Sequence, residues 1–377
     1  MQYLDAAATT PVRREVLEAM WPYLTGEFGN PSSRHELGDR AARALDAARA
    51  TIAEGLGCRP GEVVLTSGGT EADNLAVKGI ALAQPRGRHL VTTGIEHEAV
   101  LESADYLRRH HGFELSFAPL AADGRVTPES LASVLRPDTT LVSIHHANNE
   151  IGTVQPVREL AEAAHAVGAA FHADAVQSAP WLPVGLAELG ADAVSVSGHK
   201  LGAPKGVGAL AVSGRLALEP VLHGGGQERG RRSGTENVAF AVGLAAALAL
   251  VGETRGRAAE VAASRDALID GVLAGVPGAL LTGARTERLP GHASFCFPGT
   301  SGEAVLLELE RDGFLSSSGS ACAAGSDEPS HVLLALGIPP EVAQTSVRFT
   351  FETAVDGAAI ADAVVRAVAA VGGLAGA

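Results

Sequence analysis

From about residue 60 to residue 215 the chain alternates between short β-branched runs and alanine-rich segments of helical period. "EVVLTS" (62–67) reads as a strand and "TEADNLAVKGIALA" as the helix that follows it. "HLVTTG" and "ELSFAPL" are strands on either side of the helical "EAVLESADYLRRH". "TTLVSIHHA" precedes the helix "PVRELAEAAHAVG", and "AAFHADA", "ADAVSVSG" and "GVGALAVSG" come next as strands. Strands separated by helices of this length build βαβ units. The expected fold class is therefore α/β, with a mainly parallel sheet flanked by helices.

After Ser233 the pattern changes. A long helical stretch is expected over roughly 236–273, and strands ("HASFCF", "SVRFTF") then mix with helices ("GEAVLLELERDG", "DGAAIADAVVRAVAAV") as in a smaller α+β unit. The length of 377 residues suits two units. The expected division is a large domain over 15–259 and a small domain made of 1–14 and 260–377, with the opening segment packed on the latter. A net charge of −14 and no basic patch beyond "RGRR" (229–232) argue against a nucleic-acid surface. The start, "MQYLDAAATTPVRREV", lacks the basic-then-apolar order of a secretory signal, and "AFAVGLAAALALVG" (239–252) is too short to span a bilayer. The expectation is a cytoplasmic, reduced protein without membrane contact. Its cysteines, Cys58, Cys296 and Cys322, form no C-x-x-C, which removes zinc-knuckle and dithiol motifs. Cys296 lies in a strand-like run suited to core packing. Cys322 instead sits in "SSGSACAAGSDEP", a stretch with loop chemistry and no apolar face.

In an open parallel sheet, ligands gather at the carboxyl ends of the strands. Those ends are followed here by Gly68-Gly69-Thr70, by His97, by Asn148-Asn149-Glu150, by Asp174 and Gln177, and by Ser197-Gly198-His199-Lys200. A metal centre would need clustered ligands, and no HExxH is present; a nicotinamide site would need its glycine fingerprint. Pyridoxal phosphate needs an amine for a Schiff base, a carboxylate for the pyridine nitrogen, a flat group over the ring and donors for one phosphate. Lys200, Asp174, His97 and the set Thr70, Ser197 and His199 supply these in turn.

The motifs "YLDAAATTP", "FGNPSSRHELG", "TSGGTEADNLA", "HANNEIGTVQP", "HADAVQSAP", "SVSGHKLGAPKGVGAL" and "RRSGTENV" resemble those of class V aminotransferases, pyridoxal-phosphate enzymes of fold type I. Within that superfamily they resemble the NifS/IscS-like cysteine desulfurases. The resemblance runs from near the first residue to "SVRFTF" and implies a seven-stranded type of sheet in the large domain. It also implies that Lys200 carries the cofactor, Asp174 pairs with the pyridinium nitrogen and His97 stacks on the ring and moves protons. Asn149 and Gln177 would bind the phenolic oxygen. Gly69, Thr70, Ser197 and His199 would hold the phosphate, and Thr235 would reach the phosphate of a partner subunit in a homodimer with shared sites. Arg348 would clamp the substrate carboxylate, a task suited to a planar guanidinium, with Asn30 near the substrate.

"SSGSACAAGSDEPSHVL" resembles the longer active-site loop of that group. By this resemblance Cys322 would take sulfur from L-cysteine as a persulfide, leaving L-alanine. It would then deliver the sulfur to an acceptor protein, an Fe–S scaffold or a thiolation enzyme. Gly319 and Gly325 would give the loop freedom to swing. Ala203 replaces a glycine common among relatives, and "FTFETAVDG" replaces a Leu-Gly-Arg type continuation after Arg348. Other readings stay open: a selenocysteine lyase or aminotransferase of the same fold, or a non-catalytic scaffold.

Overall fold

The computed structural model describes residues 1–83, 86–319 and 328–374. Its strands, in chain order, are β1 (Gln2–Tyr3), β2 (Val63–Thr66), β3 (His89–Thr92), β4 (Glu114–Phe117), β5 (Thr139–His145) and β6 (Ala170–Asp174). They continue with β7 (Ala193–Ser197), β8 (Gly208–Val212), β9 (Leu280–Leu281), β10 (His292–Cys296), β11 (Phe314–Leu315) and β12 (Ser346–Thr350).

The central sheet has seven strands in the order β2-β8-β7-β6-β5-β3-β4. Neighbours from β4 to β7 are parallel, while β8 runs antiparallel to both β7 and β2. Residues 198–207 leave no room for a crossover helix between β7 and β8, so the chain turns straight back. β5 is buried at all seven positions, as expected of a strand covered on both faces. Its side chains alternate between two cores: Val142 packs with Ile52, Val91, Phe171 and Leu244, and Leu141 with Leu75, Leu90, Val100 and Leu107. At the sheet edge, β4 exposes both of its end residues.

The helical stretch expected over 236–273 is three helices, Val238–Ala249, Val251–Gly256 and Ala258–Gly275. They are separated where ψ rises to about zero at Leu250 and Arg257. The run Val238–Gly256, longer than the 239–252 run read from the sequence, is long and apolar enough to cross a membrane by length and composition alone. Here its first helix packs against the helices Arg14–Thr25 and Glu36–Gly55, burying Val238, Leu244 and Leu248.

A second, antiparallel sheet has the order β12-β10-β9. With the helices Ala258–Gly275 and Gly357–Leu374 it encloses Val261, Leu268, Phe295, Phe349 and Ile360. The first residues belong here. β1 pairs in parallel with β11, Leu4 lies in the same core, and Leu4 O accepts from Thr350 N at 2.8 Å. Residues 5–8 then run from this sheet toward the carboxyl ends of the central one.

Candidate active site

Each polar group at the site follows from how a strand stops. β6 ends at Asp174, whose Oδ1 accepts from Val176 N at 2.9 Å, turning the chain away from the sheet. β7 ends at Ser197 and continues as a tight turn, Gly198–Lys200. A Cβ on Gly198 would lie 2.7 Å from a Val207 methyl, so only glycine fits between β7 and the returning chain. That turn aims Lys200 across the sheet end, where Nζ donates to the carbonyls of Ala7 and Ala8, the latter at 2.8 Å. β2 ends one residue before Ser67, and a helix starts at Gly69; a Cβ there would meet Val176 at 2.7 Å.

Beyond β3, His97 caps the helix Glu98–His111, its Nδ1 accepting from Ala99 N at 3.0 Å. In the neutral ring the proton therefore sits on Nε2. Beyond β5, Asn148 Oδ1 accepts from Glu150 N and Ile151 N, and this turn presents Asn149 to the site. From the second sheet comes Arg348, buried on β12. One of its terminal nitrogens donates to Asn149 O at 3.0 Å and the other to Asp5 Oδ1 at 2.8 Å.

These residues line one cavity of about 280 Å³. Gly69, Thr70, His97, Asn149 and Asp174 are on its wall, as are Gln177, Ser197, His199, Lys200 and Arg348. Two sequence candidates are elsewhere. Asn30 is exposed between two helices, its Oδ1 accepting from Ser32 N at 2.9 Å. Thr235 is exposed on a separate cavity of about 230 Å³, with Ser67, Glu228 and Arg232. Cys322 and Gly325 lie outside the described residues.

The cavity also contains groups that sequence reading passed over: the Ala7 and Ala8 backbone, Asp73 and His145. Asp73 had a legible signal, a carboxylate three residues after Thr70, next to Ala72 and just ahead of the apolar Leu75, Ala76 and Val77. The backbone carbonyls had none.

Burial pushes the Asp174 carboxyl up, opposed by the Val176 N–H and by His97. Asp73 is pushed well above the usual carboxylate range by burial and then by the Asp174 charge. Behind them His172 is held neutral by burial, its pKa near 3, between Ser143 Oγ at 2.8 Å and Ser195 Oγ at 2.9 Å. Burial, then Lys200 and Lys205, lowers His199 to about 4, so it faces the cavity as a neutral ring. Among the described residues, Asp73 Oδ1 and Arg348 Nε have no hydrogen-bond partner. A buried acid that lacks a cation, beside an amine and an underused guanidinium, is a site built for a ligand with a protonated nitrogen and anionic groups.

Pyridoxal phosphate fits this set. Asp174 would face its ring nitrogen, Lys200 its aldehyde carbon, and Gly69, Thr70, Ser197 and His199 its phosphate. Among the described residues no cluster of His, Cys, Asp and Glu could hold a metal ion. The other cysteines make poor nucleophiles: burial pushes Cys58 up to about 11 and Cys296 up to about 12, leaving almost no thiolate at neutral pH.

Comparison with known proteins supports the same chemistry. A curated relative from Dictyoglomus turgidum, named cysteine desulfurase IscS, is 45% identical over 92% of this chain and 89% of its own length. A solved NifS-like protein superposes with a TM-score of 0.88 at 35% identity, covering 97% of both chains. A structure titled SspA in complex with cysteine gives a TM-score of 0.80 at 34% identity, over 94% of this chain and all of the other. The family model for aminotransferase class-V matches residues 2–361, and the chain belongs to that family.

Proposed function

We propose that the chain is a pyridoxal-phosphate-dependent cysteine desulfurase that converts L-cysteine to L-alanine and takes the sulfur as a persulfide on Cys322. The observation that carries this reading is the Lys200 amine and the buried Asp174 in one cavity, in a chain 45% identical to a relative named cysteine desulfurase. When bound, the cofactor supplies an electron sink for the substrate's Cα.

The chain's own groups do the rest. Arg348 binds the substrate carboxylate with guanidinium N–H groups and is oriented by Asp5 and Asn149. Asp174 would keep the ring nitrogen of the bound cofactor protonated, and Asn149 and Gln177 would hold its phenolic oxygen. Lys200 takes the Cα proton and returns one, and His97, on the same cavity wall, would serve as a second proton carrier. The Cys322 thiolate attacks the substrate Sγ. The S–S bond forms as Cβ–Sγ breaks, its electron pair stays with the carbon fragment, and protonation gives alanine. One cysteine and one enzyme thiol thus become one alanine and one persulfide.

A homodimer in which Thr235 reaches the partner's phosphate, with Asn30 near the substrate, belongs to the same proposal. So do the division into domains at 15–259 and at 1–14 with 260–377, a cytoplasmic reduced setting, and sulfur delivery to an Fe–S scaffold or thiolation enzyme. Single-turnover analysis with L-cysteine tests the core of it. Wild type should yield alanine and persulfide in equal amounts, and Cys322→Ala neither, while its cofactor spectrum still responds to cysteine. Alanine at the wild-type rate from Cys322→Ala would remove the role given to Cys322.

A further inference from the structure

Glu150 is buried at 4% exposure and takes no part in the chemistry above. It stands where the cavity wall meets both described flanks of the segment that bears Cys322. On the wall side it follows Asn149, whose carbonyl receives Arg348, and its own carbonyl accepts from His292 Nε2 at 3.0 Å. On the flank after the segment, Ser330 Oγ donates to Glu150 Oε2. Ser330 also caps the helix His331–Ala335 by accepting from Leu333 N at 3.2 Å, so this bond reaches the helix as well. On the flank before it, Gly319 N donates to Ser346 Oγ at 3.3 Å. A Cβ on Gly319 would lie 3.2 Å from both Glu150 Oε2 and Ser346 Oγ, so this flank of the segment packs closely beside the carboxyl. Ser346 is two residues before Arg348 on β12.

We infer that Glu150 is a positioning residue for sulfur transfer: through Ser330 it fastens the far end of the Cys322 segment to the strand-end turn that also holds Arg348, beside the point where the near end is bonded to Ser346. This rests on the reading of Cys322 as the sulfur acceptor. A nucleophile must meet the substrate's sulfur at a set distance from the carboxylate clamp, and a displacement of about 1 Å can cost on the order of a hundredfold in rate. Fastening the far end and the clamp to one turn, with the near end bonded to the strand that carries the clamp, fixes that distance. Burial pushes the Glu150 carboxyl up, with Glu98 adding to the rise and Ser330, His331 and Arg348 opposing it. What the tie requires is the hydrogen bond from Ser330, which an amide oxygen also accepts.

The test uses the pyridoxal-phosphate holoenzyme and L-cysteine, comparing wild type, Glu150→Ala, Glu150→Gln and Ser330→Ala. Two quantities are followed: the cysteine dependence of the cofactor spectrum, and the rate of persulfide formation on Cys322. Glu150→Ala and Ser330→Ala should keep the spectral dependence within about twofold and slow persulfide formation by roughly ten- to a hundredfold. Glu150→Gln should recover the wild-type rate to within about threefold. The inference is overturned if persulfide forms at the wild-type rate in both alanine variants, if binding and transfer fall together, or if Glu150→Gln is as slow as Glu150→Ala. Should Glu150→Ala not fold, Ser330→Ala and Glu150→Gln decide the matter. A wild type that responds spectrally but forms no persulfide would instead bring down the reading of Cys322, and Glu150's role with it.

Discussion

Two buried groups of charges show how differently a fold can treat ions. On one side of the central sheet Arg49 and Glu228 form a bidentate pair at 2.6 and 2.7 Å, and Glu228 also accepts from Leu65 N at 3.1 Å. At the strand ends, Asp73 and Asp174 are as deeply buried, Asp73 feels the Asp174 charge, and Asp73 Oδ1 has no hydrogen-bond partner among the described residues. The first group is complete within the chain and acts as a fastener. It holds the segment in which Glu228 and Arg229 adopt left-handed backbone, on the way to Thr235. The second is complete only when something cationic enters the cavity. A satisfied ion pair marks structure, and an unsatisfied one marks a site.

Removing one partner from each group should therefore act in opposite directions. Glu228→Ala leaves Arg49 buried without its carboxylate and should destabilise the protein by about 3–5 kcal/mol, read by denaturant unfolding of the apoprotein. A loss below about 1 kcal/mol would mean that the pair is not a fastener. Asp174→Asn removes a charge that the apoprotein holds at a cost, so it should stabilise the apoprotein by about 1 kcal/mol while the holoenzyme loses turnover. If the apo variant is less stable than wild type, the contrast between the two groups fails.

The smallest effect concerns Asp73. Its folded pKa is raised, so its favourable contribution is fully present below the unfolded value near 3.8 and is lost as pH rises through the folded value. Asp73→Asn cannot ionise and escapes that loss. The stability difference between variant and wild-type apoprotein should grow as the pH rises from about 4 to about 7, followed by urea unfolding at each pH. A flat difference would show that Asp73 titrates normally.

Much of this was legible before any coordinates. The strands of the central sheet lie inside the runs read from β-branched periodicity, and most of the polar residues expected at their ends line one cavity, Asn148 and Glu150 being the exceptions. Parallel strands point their carboxyl ends the same way, so residues far apart in sequence converge. The division of the 236–273 stretch was not legible, because alanine favours helix at every position and hides where ψ relaxes at Leu250 and Arg257. Nor were the Ala7 and Ala8 carbonyls that receive Lys200, since a backbone acceptor leaves no mark on residue type.

By itself, then, the sequence determined the α/β class, the order of strand-end chemistry and the candidate roles of Lys200, Asp174 and His97. Those depend on local periodicity and on residue types suited to only a few tasks. Only the tertiary structure decided which carboxyls share a charge, where Arg348 meets Asp5 and Asn149, and that Glu150 stands between Gly319 and Ser330. Burial and pairing are properties of distances between segments far apart in the chain, and those distances exist only once both sheets have packed.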